Sequence, residues 1–270
     1  MPSNSEITSA QLSRLIGLPD QPIIVDVRTD EDFAADPRLV PTAIRRPALQ
    51  AADWAGELVG GPPVVVLCQK GRKLSEGAAA HLRCAGIAAE TLDGGWLAWR
   101  GASLPAVPAA SLPAPGRGPV WVTRHRPKID RIACPWLIRR FLDPEARFLY
   151  VAPSEVAEVA RVFGAVPFDI EGVTLSHRGE LCTFDALIED FGLRSEPLDR
   201  LATVVRSADT DRHDLAPQAA GLLALSAGLS RLYRDDLEQL AAGMVVYDAL
   251  YRWARDGFEE GHDWPAGRQA

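Results

Sequence analysis

The chain has 270 residues and a formal net charge of −7, with 47% hydrophobic and 24% charged residues. These proportions suit a globular protein of two domains or one large one, and they exclude a disordered, collagenous or coiled-coil chain. Four cysteines are too few for a disulfide scaffold, no apolar run reaches the ~18–20 residues of a membrane span, and MPSNSEITSAQ has no basic-then-apolar leader. A cytoplasmic location is therefore expected, with no membrane partner, and the acidic balance argues against nucleic acid as a partner. Of 29 basic residues only three are lysines, and Lys70 and Lys73 lie within six residues of Cys68 while Lys128 does not.

In chain order, Ser9 is placed to cap a short helix over AQLSRLIG. Ile23–Val27 and Val64–Cys68 are apolar, β-branched runs, as expected of strands buried on both faces. Leu74, Ala78, Leu82 and Ala85 recur at helical spacing before Gly86, and Ala88–Leu92 reads as a third strand. Strand, helix and strand so close together predict parallel βαβ units and an α/β domain. Gly101 to Pro119 holds five prolines among Ala, Ser and Gly, the composition of a semi-rigid linker. The expected division is a domain over 1–107, a linker over 108–118 and a second domain over 119–270. Residues 1–110 carry 12 acidic and 10 basic side chains and 111–270 carry 24 and 19, so neither half is a basic platform.

In the second half, strands are predicted over Val120–His125 and Arg147–Val151, with a helix over Ile129–Leu142 between them. Pro153-Ser154-Glu155 opens a helix to about Phe163, followed by strand candidates at Pro167–Ile170 and Val173–His177. Helices follow over Asp185–Phe191, Leu198–Ser207, Pro217–Leu232 and Asp235–Arg255. Strands first and helices later predict an α+β domain, mostly helical.

The strongest chemical signal is Cys68-Gln69-Lys70-Gly71-Arg72-Lys73: a cysteine ends a buried strand, a short loop follows, and a helix begins. Ligand sites in open α/β sheets lie at the carboxyl ends of strands. Loop amides, a helix N-terminus and the cations Lys70, Arg72 and Lys73 all favour thiolate over thiol. A thiolate at physiological pH is a nucleophile. Cys84 reads as a small core residue on an Ala-rich helix and Cys134 as a core residue between Ala133 and Pro135.

These residues resemble the rhodanese domain family. Ile24-Val25-Asp26-Val27-Arg28 looks like its second conserved strand, and Glu31-Asp32-Phe33 fits the segment after it. Cys68 to Lys73 is similar to its six-residue active loop, Ala78 to Gly86 to the following helix, and Leu92-Asp93-Gly94-Gly95-Trp96-Leu97-Ala98-Trp99 to its closing segment. The resemblance covers about 6–107. It implies that Cys68 accepts sulfane sulfur from a small donor and passes it to a thiol acceptor, with no cofactor. Asp26 and Arg28 support the loop by charge pairing in this reading. Leu39-Val40-Pro41-Thr42-Ala43-Ile44 departs from the GHIPGA-like segment of many members, and Gln69 stands where Arg is frequent.

In the second half, Arg124 to Arg131, Ser176 to Asp185 and Arg206 to His213 each put His or carboxylate beside Arg at an element end. Two chemistries fit: His, Asp, Glu and Cys as metal ligands, or the basic cluster as a binder of a tetrahedral oxyanion. The metal reading takes His177, Asp185 and Asp209 as ligands of a divalent ion. Val122-Thr123-Arg124-His125, Asp130 to Phe141, His177 to Asp185, Val205 to Thr210 and Gly243 to Tyr251 together resemble the ChrB-type chromate-resistance domain over about 120–256. The leading expectation is a sulfurtransferase carrying a persulfide on Cys68, linked to chromate resistance. The alternative is a chromate- or metal-binding sensor whose first domain reports redox state without turnover.

Overall fold

A computed structural model of the chain describes residues 5–113 and 120–261. The first half comprises β1 (Glu6–Ile7), α1 (Ser9–Leu15), β2 (Ile23–Asp26), α2 (Asp30–Ala35), β3 (Arg38–Leu39), β4 (Ile44–Arg45), α3 (Ala51–Trp54), β5 (Val64–Leu67), α4 (Lys73–Cys84), β6 (Ala89–Leu92), α5 (Gly95–Gly101) and β7 (Val107–Pro108). Five strands form a parallel sheet in the order β1-β6-β5-β2-β4. All four residues of β5 are buried, which is why Val64-Val65-Val66-Leu67 shows no polar alternation. The register Asp26↔Leu67 brings the ends of β2 and β5 to the same carboxyl edge of the sheet, where the Cys68 loop begins. Helix α1 is capped one residue earlier than expected: Thr8 Oγ1 accepts from the Gln11 amide, and the Thr8 amide donates to Gln11 Oε1.

The second half comprises β8 (Val120–Arg124), α6 (Asp130–Phe141), β9 (Arg147–Val151), α7 (Val156–Phe163), β10 (Val166–Pro167), α8 (Thr183–Asp190), α9 (Glu196–Asp209), α10 (Ala219–Leu232) and α11 (Asp236–Asp256). Its strands pair parallel in the order β10-β8-β9, and helices α8–α11 complete a mostly helical unit. Pro135 inside α6 has no N–H for the Arg131 carbonyl, and the Tyr150 hydroxyl donates to that carbonyl instead at 3.0 Å. The strand expected at Val173–His177 does not form; the segment turns and bends between Gly172 and Gly179, both at positive φ. Likewise β10 ends at Pro167, and Asp169 turns the chain at φ 53°. Among the described residues no helix is long and apolar enough to cross a membrane.

The proline-rich stretch is not a free spacer over its first part. Val107–Pro108 pairs antiparallel with β3, residues 109–111 form a 3-10 turn, and Leu112 packs on the core. The remainder of the expected linker, 114–118, lies outside the described residues. The two halves share one hydrophobic core, in which Leu12, Ile16, Trp96 and Trp99 of the first half join Trp136, Phe141 and Tyr251 of the second. Gly17 packs against the second half: a Cβ there would stand 2.5 Å from Phe141 and 2.8 Å from Tyr251. The backbone also crosses the boundary, with the Thr42 amide donating to the Phe141 carbonyl at 3.1 Å.

Candidate functional site

Cys68 follows β5 directly and is 5% exposed. The Arg72 amide donates to its Sγ at 3.3 Å, and Ser75 Oγ lies 3.2 Å from the sulfur. Burial pushes the thiol pKa up, but the Ser75 hydroxyl and the backbone amides of Arg72, Ser75 and Lys70 outweigh it, so the pKa is lowered. The loop is held in this curve from below. The Trp96 amide donates to the Cys68 carbonyl at 2.9 Å and the Leu97 amide to the Gln69 carbonyl at 3.1 Å. Two glycines allow that contact. Gly71 (φ +64°) and Gly95 (φ +58°) lie so close that a Cβ on Gly95 would stand 2.1 Å from the Cys68 carbonyl oxygen and 2.4 Å from the Gly71 amide.

The expected supporting pair forms but does not touch the sulfur. Arg28 and Asp26 make a fully buried ion pair at 2.6 Å, and Arg28 also donates to the carbonyls of Asp36 and Arg38. Its guanidinium lies 4.2 Å from the Trp96 ring centre, so the pair reaches the loop through the residue whose amide holds Cys68. Lys70, Arg72 and Lys73 are exposed, and Gln69 is half-buried. The groups that meet the sulfur are therefore backbone amides and Ser75, a residue the sequence reading passed over. Ser75 follows Cys68 by seven residues and lies in the first turn of α4, the signal that could have found it. Cys84 is exposed at the far end of α4, not in the core as expected, whereas Cys134 is buried.

In the second half His177 and Asp209 come together, and Asp185 does not join them. His177 Nε2 stands 3.2 Å from Asp209 Oδ2, 3.5 Å from Asp130 Oδ2 and 3.5 Å from Asp169 Oδ1. Hydrogen bonds to Asp169 and Asp209 push the His177 pKa up to about 10. Burial, and then the charges of Asp209 and Asp169, raise Asp130 well above the usual carboxylate range. Asp185 instead pairs with Arg206 at 2.5 Å and accepts from the Cys182 amide at 3.1 Å, closing the first turn of α8. Asp130 and Asp169 were not among the expected ligands. Nothing in their spacing from His177 announces them, because they reach the site from the start of α6 and the turn after β10.

Five of the six arginines of the expected oxyanion cluster are turned to carboxylates, and the sixth, Arg126, donates to the Ser230 carbonyl. Arg124 and Arg131 meet Asp169, Arg178 meets Asp190, Arg206 meets Asp185 and Arg212 meets Asp214.

Comparison with known proteins matches two families to separate stretches of the chain. Residues 8–102 match the family described as rhodanese-like domain, and residues 121–254 match the family described as ChrB, C-terminal domain. Protein ChrB of Cupriavidus metallidurans is 37% identical over 141 residues, covering 52% of this chain. The chain spans only 42% of that relative's length. Among solved structures, a rhodanese-like domain protein from Staphylococcus aureus is 30% identical, covering 35% of this chain and 90% of that one with a TM-score of 0.31. A thiosulfate sulfurtransferase from Pseudomonas aeruginosa is 25% identical, covering 39% of this chain and 19% of that one with a TM-score of 0.34. The chain thus joins a rhodanese-like domain at residues 8–102 to a ChrB C-terminal domain at residues 121–254.

Proposed function

We propose that the protein is a sulfurtransferase that carries sulfane sulfur as a persulfide on Cys68, in a chain linked to chromate resistance through its second domain. The observation that carries this reading is the Cys68 sulfur in a cradle of amide and hydroxyl donors that lowers its pKa. The thiolate attacks the outer sulfur of a donor such as thiosulfate. An S–S bond forms at Sγ, the donor's S–S bond breaks, and sulfite leaves with the bonding electron pair. The terminal persulfide sulfur is an anion, which the convergent amides suit. An acceptor thiolate then takes that sulfur and Cys68 returns as thiolate, so neither metal nor redox cofactor enters the cycle. The exposed cations Lys70, Arg72 and Lys73 draw an anionic donor toward the loop. The expected setting is the cytoplasm, where small thiols serve as acceptors.

The test is incubation of the full chain with thiosulfate, followed by intact mass and sulfite release. One added sulfur on Cys68, absent from Cys68→Ser, is the expected result. No added sulfur and no sulfite from thiosulfate or from a small persulfide donor overturns the assignment. It would favour the sensor reading, in which the first domain reports redox state.

A further inference from the structure

Asp130, His177 and Asp209 converge from three separate segments, the first turn of α6, the loop before α8 and the end of α9. One donor atom from each lies within 4.8 Å of the others. An imidazole nitrogen carries at most one proton, yet His177 Nε2 faces three carboxylates at 3.2, 3.5 and 3.5 Å. Donors set tetrahedrally around one ion at about 2.0–2.2 Å stand about 3.3–3.6 Å apart, close to the 3.2 and 3.5 Å that separate His177 Nε2 from Asp209 and Asp130. A second observation points the same way. Asp130 is 1% exposed; its Oδ2 lies 3.5 Å from His177 Nε2, and its Oδ1 has no hydrogen-bond partner. A buried carboxylate oxygen without a donor is destabilising unless a cation meets it.

We propose that Asp130, His177 and Asp209 bind a divalent transition-metal ion. The surrounding groups are arranged to hold such ligands. Asp130 Oδ2 accepts the Thr183 amide at 2.6 Å, and Asp209 Oδ1 lies 3.5 Å from the Asp130 amide. Asp169 is already saturated by Thr183 Oγ1 at 2.8 Å, Arg124 at 3.0 Å and Arg131 at 3.3 Å, which leaves it outside the ligand set. One imidazole among carboxylates favours an ion such as Zn²⁺ or Mn²⁺ over Mg²⁺ or Ca²⁺. The His177 side chain is 41% exposed and that of Asp209 19%, so the site opens to solvent on their side. Three protein ligands with one open side leave a coordination position for water or an incoming ligand.

The experiment strips the full chain with EDTA and offers Zn²⁺, Mn²⁺ or Mg²⁺, reading metal content by mass spectrometry and affinity by titration calorimetry. The wild type is expected to take one equivalent of Zn²⁺ or Mn²⁺. Affinity is expected to fall at least about tenfold in His177→Gln, Asp209→Asn and Asp130→Asn, and to stay unchanged in His213→Gln. The first two variants lie at the open rim, so the comparison stands even where Asp130→Asn disturbs folding. Substoichiometric binding by the wild type overturns the proposal. So does preference for Mg²⁺, or unchanged affinity in both rim variants.

Discussion

The Cys68 loop and the His177 cluster are opposite solutions to holding charge. The first is contiguous: six residues curve around a sulfur, and neutral amides with one hydroxyl supply the stabilisation. The second is assembled from distant segments and gathers carboxylates around one imidazole. The first suits an anion, the second a cation. Their construction also differs in what limits it. The loop depends on glycines that let two backbones touch, the cluster on where helix and strand ends fall in the shared core.

Substitutions can test this contrast. The largest effect is expected for Cys68→Ser, which removes the nucleophile and lowers sulfur transfer by about 10³-fold or more. Metal content should be unchanged in that variant; a joint loss of both would show that the two sites are not independent. Arg28→Ala leaves Asp26 buried and unpaired and should cost about 3–5 kcal/mol, read as a lower urea midpoint. Gly95→Ala forces a left-handed residue against the Cys68 carbonyl and should cost about 1–3 kcal/mol, with transfer impaired in the fraction that stays folded.

Smaller effects probe the electrostatics. Ser75→Ala removes one donor that holds the Cys68 pKa down, so that pKa should rise. A lowered thiol pKa keeps thiolate available above it and loses thiolate as pH falls through it. Alkylation of Cys68 should therefore slow by about 3–10-fold at neutral pH and recover at high pH. An unchanged pH profile would assign the shift to the amides alone. The smallest effect is expected for Lys70→Gln with Lys73→Gln: both side chains are exposed, and KM for thiosulfate should rise about 2–3-fold at low salt and converge with wild type at high salt.

Much of the first half was legible because its signals are local. Buried strands, the loop and the Gly-Gly-Trp segment are runs of neighbouring residues, and β2, β5 and β6 lie within a residue of their expected bounds. The role given to the lysines was not settled by proximity in sequence, since their side chains lie exposed while Ser75, a turn further along, meets the sulfur. In the second half the helices were readable from periodicity. Of the clustered residues, His177 and Asp209 were singled out as candidate ligands, as was Asp185, which is held by Arg206; Asp130 lay beside Arg131 in a segment that stood out but was not itself singled out. The proline-rich stretch read as a spacer because composition reports backbone stiffness, not packing; β3 supplies the edge on which Val107–Pro108 is held.

By itself the sequence determined the buried strands β2, β5 and β6, most of the helices, the two family resemblances and the cysteine loop, all of which rest on residues close together in the chain. Tertiary structure decided three further matters. It joined the halves through one core at Gly17, Phe141 and Tyr251. It set Ser75 and the amides, in place of the lysines, against the Cys68 sulfur. It brought Asp130 to His177 and Asp209. The reason is range: periodicity and turn chemistry act over a few residues, whereas a three-segment site depends on which helix ends the packed core brings together.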